Sequence, residues 1–275
     1  KPELKWDFAR EQLNQYGFST THQYLVNLMQ KVNENYNLFP HANPGIMSKQ
    51  EIKELKKYSP SGGLMIETFS SKVHEKGRAH YKTNTKFVNQ RIKTLENALD
   101  EMYPVTTGLL LGLTDTEEEI VEDITKLILL IKENKAIQEV ILQNFRAKKN
   151  TIMKNNSEIT NDLFLRIIAT TRIYSPSHVS IQVPPNLSPD INLFFKSGIN
   201  DLGGISPITI DWVNPDHLWP NINDLKNNIS STGQKLKKRL PVYPEFIEKE
   251  WLNEDIFEKV NNIIDTDGYP QDANV

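Results

Sequence analysis

The sequence predicts a parallel α/β fold of the (β/α) barrel type, and three observations carry that expectation. Short apolar runs alternate with amphipathic helical segments along the 275 residues, which implies a parallel sheet covered by helices. One such unit is nearly complete between Val105 and Met153. The run Gly108-Leu-Leu-Leu-Gly112 leads through Thr114, Asp115 and Thr116 into an acidic helix start, and a second apolar run follows at Gln138–Leu142. That is strand, helix, strand, with polar groups at the strand ends, where a parallel sheet meets its ligand. The glycine-rich dinucleotide fingerprint is missing, which argues for a barrel over a flat doubly wound sheet, and the length suits one barrel domain.

Taken in order, Lys1–Tyr16 has helical spacing at Leu4, Phe8 and Leu13 and stops at Gly17. Ser19, Thr20 or Thr21 caps a second helix over 21–36, with Tyr24, Leu25, Leu28 and Met29 inward. Leu38–Gly45 reads as a short extended piece ending in a turn, because Pro40 and Pro44 disfavour helix. Ser48-Lys-Gln-Glu51 forms a capping box for a helix carrying Ile52 and Leu55. Gly62–Glu67 reads as a short buried strand ending in a carboxylate. Ser70–Phe87 is polar and irregular, a long loop of the kind that carries function. Lys86–Met102 is a helix facing inward with Val88, Ile92, Leu95 and Leu99.

After the strand from Val105, Thr114 or Thr116 caps a helix running to about Glu133, with Ile120, Ile124, Leu127, Ile128 and Ile131 on one face. A polar loop follows at Lys148–Ser157, then a helix at Glu158–Tyr174, a strand at His178–Pro184 and a short helix at Asp190–Lys196. A short strand at Gly198–Asp201 runs into the turn Leu202–Pro207. Helices near 221–237 and 254–264 make a C-terminal helical extension of about 221–275 on a single domain spanning 1–275.

Composition excludes several classes. The formal charge is -3, without the basic footprint of a nucleic-acid binder. The most basic stretch, Leu225–Leu240, reads as a solvated helix face. No apolar run approaches the roughly 18 residues of a membrane span, no segment reads as a signal peptide, and the expected location is the cytoplasm. No cysteine is present, so the chain offers no thiolate ligand, disulfide or cysteine nucleophile. It opens on Lys-Pro-Glu rather than on a methionine, which reads as a piece of a longer product or a processed chain.

In a parallel barrel the site lies at the carboxyl ends of the strands. Those ends carry His41 and Asn43, Glu67 and Thr68, Gly112 and Asp115, Gln143, Asn144 and Arg146, Gln182, then Asn200 and Asp201. Amides and carboxylates dominate, a set suited to orienting a polyhydroxylated or heterocyclic ligand. Each has a plainer reading. Glu67 pairs with a lysine of a neighbouring loop, Asp115 only caps a helix, Arg146 braces a carboxylate on the rim, and Asn200-Asp201 before Gly203-Gly204 is only a tight turn. The histidines have no metal-ligand spacing; no metal ligand and no catalytic residue is assigned.

At these residues the chain resembles a known family. Pro40-His-Ala-Asn-Pro-Gly-Ile-Met-Ser48 is similar to PHTNPGVMS, Gly63-Leu-Met-Ile-Glu67 to GLMLE, and Thr106-Thr-Gly-Leu-Leu-Leu-Gly112 to TTGILIG. Gln138–Lys148 is similar to QEVIVQNFRAK and Gly198–Pro207 to GINDWGGVSP, and Val213-Asn-Pro215, Trp219-Pro220 and Arg239–Glu245 also match. The family is CofG, the radical S-adenosylmethionine subunit of FO synthase, and the matches run in order along almost the whole chain. The resemblance implies a radical-SAM-type (β/α) barrel with its first strands missing here. It implies a lyase and cyclase that closes the deazaflavin ring of FO, on the path to coenzyme F420, from an adduct of a ribitylaminouracil and a hydroxybenzyl group, with loss of ammonia. In the family a 4Fe-4S cluster reduces S-adenosylmethionine to yield a deoxyadenosyl radical.

By position, the resemblance assigns Gly108, Leu110, Gly112 and Asp115 to the strand motif that lines the adenine, with Asp115 standing where the motif has Glu. It assigns Glu67 to the ribose or amino-acid part of S-adenosylmethionine, and Gln143, Asn144, Arg146, Asn200 and Asp201 to the uracil or ribityl groups. The implied partners are a small-molecule substrate, the sister hydroxybenzyl-transferase subunit (CofH) and an electron donor such as ferredoxin or flavodoxin, with no nucleic acid and no membrane. The family's cluster sits on a CxxxCxxC loop, which this sequence lacks. Lys1-Pro2-Glu3 resembles the end of a later family segment, so the cluster loop is expected upstream and this chain alone is expected to be inactive. Two other readings stay open: a ligand-binding barrel that has lost its cluster, and a related radical enzyme of menaquinone or hydroxybenzyl-transfer chemistry.

Overall fold

A computed structural model describes residues 1–36, 38–188, 190–206 and 208–271. Its strands are β1 (His41–Ala42), β2 (Ser61–Gly63), β3 (Val105–Leu111), β4 (Ile137–Asn144) and β5 (Ser180–Gln182), hydrogen-bonded in the order β1-β2-β3-β4-β5. The pairs β1–β2, β2–β3 and β4–β5 are parallel. Helices fill the crossovers: α3 (Lys49–Lys56), α4 (Val88–Asp100), α5 (Glu117–Glu133) and α6 (Asn161–Tyr174). Before them come α1 (Asp7–Gln15) and α2 (Thr21–Asn35), and after β5 come α7 (Ile191–Ser197), α8 (Ile222–Ser230) and α9 (Glu254–Asn261). The sheet is the expected parallel one with alternating helices.

The chain forms two compact units. The first holds residues 1–64, 89–106 and the segment from Lys238; the second holds 65–88 and 107–237. In the first, Ile52 and Leu55 of α3, Leu95 and Ala98 of α4, and Ile256 and Val260 of α9 are buried. The fully buried Tyr103 shares a 2.5 Å hydrogen bond with Ser59 Oγ. In the second, Leu109 and Leu111 of β3, Val140 and Leu142 of β4 and Ile181 of β5 lie in the core, with Ile120, Ile124, Leu127, Ile128 and Ile131 of α5 and Phe164 and Ile168 of α6. Burying each such side chain stabilises the fold by about 1.5–3 kcal/mol before entropy is counted.

Several elements differ from the sequence reading. The β2 ladder stops at Gly63 and resumes as a single bridge at Glu67, whose φ of 69° turns the backbone. β4 is longer than expected, so Gln143 and Asn144 belong to the strand itself. The expected strand at Gly198–Asp201 shrinks to one bridge between Asp201 and Gln182. α6 starts later than Glu158, because Thr160 caps it and the Glu158 carboxylate is engaged by Arg146 and the Ala147 amide. α8 ends well before Lys237, where Thr232 Oγ1 and the Gly233 amide take up carbonyls of the last turn and Gly233 has φ 81°. Leu28 is exposed, and α2 buries His22 and Met29. The inward face of α4 is partly polar: Thr94 Oγ1 accepts from the Met47 amide and Asn97 Nδ2 donates to the Met47 carbonyl.

The tightest point of the second unit is at Gly108. A Cβ there would lie 2.0 Å from the Ile141 carbonyl oxygen of β4, far inside van der Waals contact. Gly108→Ala is therefore expected to destabilise the protein by about 1–3 kcal/mol or more. Urea denaturation checks this, and an unchanged midpoint would mean that the two strands have room to part.

Candidate functional site

The sequence-predicted cofactor residues all lie in the second unit: Glu67 follows β2, Gly108 and Leu110 lie within β3, and Gly112 and Asp115 follow it. The Glu67 amide donates to the Gly108 carbonyl (2.9 Å) and the Leu110 amide donates to the Glu67 carbonyl (2.8 Å), so Glu67, Gly108 and Leu110 form one backbone ladder. The Glu67 carboxylate is largely buried and takes two partners from the 70–87 loop: His80 Nε2 at 2.8 Å, and the Lys86 ammonium. The plainer reading of Glu67, a lysine partner, is thus present, with a histidine that sequence spacing did not reveal. His80 is itself buried, and its Nδ1 has no hydrogen-bond partner among the described residues. His74 stacks on Phe87 with ring centroids 4.3 Å apart.

The loop is fastened to α5 in addition. Buried Asp123 accepts from Thr68 Oγ1 and from the Phe69 amide, both at 2.7 Å. Burial pushes its carboxyl up, against the pull of those two bonds. Nearer the surface, Arg78 donates both terminal nitrogens to Asp115 at 2.6 Å, and Lys72 pairs with Glu119 at 2.9 Å. The Arg78 bonds hold the Asp115 carboxyl below its ordinary range. Thr116 caps α5 in a capping box with Glu119, so Asp115 is not the cap. Leu110 packs against the cluster of Val73, Leu113 and Phe145. Gly112 ends β3 with φ 104°, and a Cβ there would sit 3.0 Å from Phe145 Cβ.

At the end of β4, Asn144 and Arg146 converge on one acceptor. Asn144 Nδ2 donates to the Leu187 carbonyl at 3.3 Å and Arg146 donates to the same oxygen at 2.6 Å. Arg146 also pairs with Glu158 at 2.6 Å. Burial raises the Glu158 carboxyl, but the bonds from Arg146 and the Ala147 amide outweigh it and leave the group below its usual value. Asn144 Oδ1 and Arg146 Nε are buried without partners among the described residues, while half-buried Gln143 precedes them. Around β5, Asn200 Oδ1 accepts from Arg172 (2.7 Å) and from the Ile181 amide (2.8 Å), and Asp201 accepts from the Gly203 amide at 2.5 Å. Gly203, with φ 66°, lies flat on Gln182: a Cβ would meet its amide nitrogen at 2.0 Å.

The chain is 38% identical over 270 residues to the 7,8-didemethyl-8-hydroxy-5-deazariboflavin synthase of Methanopyrus kandleri, a match covering 98% of this chain and 80% of that protein. The chain belongs to the 7,8-didemethyl-8-hydroxy-5-deazariboflavin synthase family. The protein of that name from Methanocaldococcus jannaschii is 40% identical over 252 residues, covering 91% of this chain and 70% of the relative. The FO synthase of Streptomyces avermitilis is 36% identical over 269 residues, which span 31% of its length. No family model matches. Among solved structures, methylornithine synthase (PylB) superposes with a TM-score of 0.60 at 17% identity, over 79% of this chain and 64% of that one. The hydrogenase maturase HydG gives 0.54 at 15%, over 65% and 41%. The fold is the one shared with these two proteins, a parallel sheet with alternating helices that forms part of a (β/α) barrel.

The resemblance implies S-adenosylmethionine and a 4Fe-4S cluster, whose irons are held by thiolates. The chain contains no cysteine, and its described residues hold no group of three or more His, Asp or Glu placed to bind a metal. Its own side chains therefore do not fit the cluster. Asn144 Oδ1, Arg146 Nε and Thr107 Oγ1 are buried polar atoms without partners among the described residues, and such atoms cost free energy until something pairs with them.

In the first unit, His41, the first residue of β1, meets Ser61 Oγ at 2.8 Å. Desolvation, then the charge of Arg239, push its imidazole down to about 4. A histidine with a lowered folded pKa favours the neutral form. Its stabilising effect is complete above the unfolded value of about 6.5 and is lost as pH falls towards about 4. His41→Gln is expected to flatten the loss of stability across that window. Denaturation midpoints measured from pH 7 to 4 check this, and parallel curves for the two proteins would contradict it.

Proposed function

We propose that this chain is the barrel of a radical S-adenosylmethionine lyase that closes the deazaflavin ring, converting the hydroxybenzyl–ribityliminouracil adduct to FO with release of ammonia. Family membership supports the reaction, and the observation that carries the site is the pair of unpartnered buried atoms at the end of β4, Asn144 Oδ1 and Arg146 Nε. Glu67, Gly108, Leu110, Gly112 and Asp115 are proposed to receive S-adenosylmethionine, with Glu67 steadied by His80 and Lys86 and Asp115 by Arg78. That cofactor supplies the hydrogen-abstracting chemistry when bound. Gln143, Asn144, Arg146 and Asp201 are proposed to orient the uracil and ribityl groups, with Asn200 bracing the end of β5 through Arg172. The hydroxybenzyl-transferase subunit is the proposed supplier of the adduct, a ferredoxin or flavodoxin the proposed electron donor, and the cytoplasm the proposed location.

Thiolates hold the irons of such clusters, so anaerobic iron–sulfide reconstitution of the 275-residue chain alone is expected to give no stoichiometric cluster. A brown, stoichiometrically loaded chain would contradict the assignment of its ligands to residues outside this sequence. In the product of the whole coding sequence, Asn144→Ala and Asp201→Asn are expected to cut FO formation about tenfold or more, with iron and sulfide content unchanged. Undiminished turnover in both variants removes these residues from the site. Cluster-loaded protein that binds S-adenosylmethionine but makes no FO from the adduct refutes the reaction assigned.

A further inference from the structure

One face of the sheet in the second unit carries a polar side chain that the reading above leaves unused. In the ladder of β4 with β5, Ile141 pairs with Gln182, and Gln182 pairs in turn with Asp201. Residues paired directly across parallel strands project from the same face, and so does Gln143, two residues past Ile141. Gln143, Gln182 and Asp201 therefore share one face, with Gln182 in the middle. The opposite face is closed: Val140, Leu142 and Ile181 are completely buried. The shared face opens towards the strand ends, since Glu139 and Ser180 are buried whereas Ile141, Gln143 and Asp201 are half-buried.

Gln182 is only 9% exposed, and its amide has no hydrogen-bond partner among the described residues. The amide leans along the strand and comes to rest on Gly203, two residues past Asp201. The point where a Gly203 Cβ would stand is 2.0 Å from Nε2, 2.4 Å from Cδ and 2.8 Å from Oε1. Only a residue without a side chain leaves that place to the amide. Packing on the Gly203 backbone thus holds the group, while its C=O and N–H edge is engaged by no described residue. A polar group so buried and unpaired costs free energy until something pairs with it.

We infer that Gln182 is a specificity-determining residue, whose amide reads the imide edge of the substrate's uracil ring. Oε1 accepts the ring N3–H, and Nε2 donates to the ring carbonyl beside it. A carboxamide sets its acceptor and its donor side by side in one plane, and a cyclic imide answers with a donor beside an acceptor. The imide N–H is flanked by a carbonyl on each side, so the pair forms whichever way round the amide lies. No proton is transferred. Gln143 and Asp201, one strand spacing of about 4.8 Å to either side, face the ribityl chain that the ring carries. All three residues belong to the second unit. This deepens the proposed function, on which the choice of uracil rests.

The test uses the full-length, cluster-loaded protein with 6-(D-ribitylamino)uracil and its N3-methyl derivative as probes in titration calorimetry. In the wild type, N3-methylation is expected to weaken binding about tenfold or more, because a site built to pair with an N–H rejects the analogue lacking it. Gln182→Met removes the amide and leaves none of the described residues without a partner. It is expected to weaken the parent probe by a similar factor and to abolish the discrimination between the two. Equal affinity of the wild type for both probes, no binding of the parent, or a Gln182→Met protein that still discriminates overturns the inference. The first two arms need no variant, so a folding defect in Gln182→Met cannot shield it. FO formation by the wild type is measured alongside. FO produced by a protein blind to methylation sinks the role of Gln182 alone; discrimination without FO sinks the reaction alone.

Discussion

The close approach of β3 and β4 at Gly108 is the constraint on which the second unit is built. With the Ile141 carbonyl where a Cβ would stand, only a residue without a side chain lets the strands pair at this register. That register carries the Phe145 amide onto the Leu111 carbonyl at 2.8 Å. It ends β4 at Asn144 and so presents Asn144 and Arg146 to the Leu187 carbonyl. Packing under the sheet follows from the same closeness, since Leu109, Val140 and Ile181 are all completely buried. A site made of strand ends inherits its precision from the ladder beneath it.

The polar groups at these ends are of two kinds. Some are fully occupied: the Glu67 carboxylate by His80 and Lys86, Asp115 by Arg78, Asn200 Oδ1 by Arg172 and the Ile181 amide. Others remain unsatisfied inside the protein, notably Asn144 Oδ1 and Arg146 Nε. The occupied groups set shape and electrostatic field, and the unsatisfied ones carry a standing desolvation cost that a ligand would relieve. The plainer readings of Glu67 and Arg146 are thus realised, and they do not compete with a binding role: the same contacts hold each side chain still.

Local signals were legible in the sequence. The capping box of Ser48 with Glu51 forms as read, and of the two candidate caps for α5 it is Thr116 that forms one, with Glu119. Every apolar residue read onto the inner face of α5 is buried there, and Asp123 is buried beside them. What the sequence hid was set at long range. The inward face of α4 is polar because the Met47 backbone, far away in the chain, supplies partners for Thr94 and Asn97. The break in β2 comes from the left-handed turn at Glu67, which no residue pattern announces. His80 and Arg78 sit in an irregular loop, and their partners Glu67 and Asp115 are fixed only once that loop has folded back on the sheet end. The family resemblance was legible because short motifs survive in order along the chain, whereas the partners of each motif residue were not.

The segment from Thr68 to Lys86 is held by two grades of attachment. Its ends are tied where water is scarce, through Asp123 and through the Glu67 carboxylate. Its middle is seated by buried Val73 and His80 and tied in addition through Arg78–Asp115 and Lys72–Glu119, whose basic partners are solvent-exposed. Mobile ions screen exposed pairs over about 10 Å at 0.1 M and leave buried ones almost untouched. Rising ionic strength therefore weakens the two exposed pairs over α5, while the buried side chains of Val73 and His80 keep the loop seated on the sheet end.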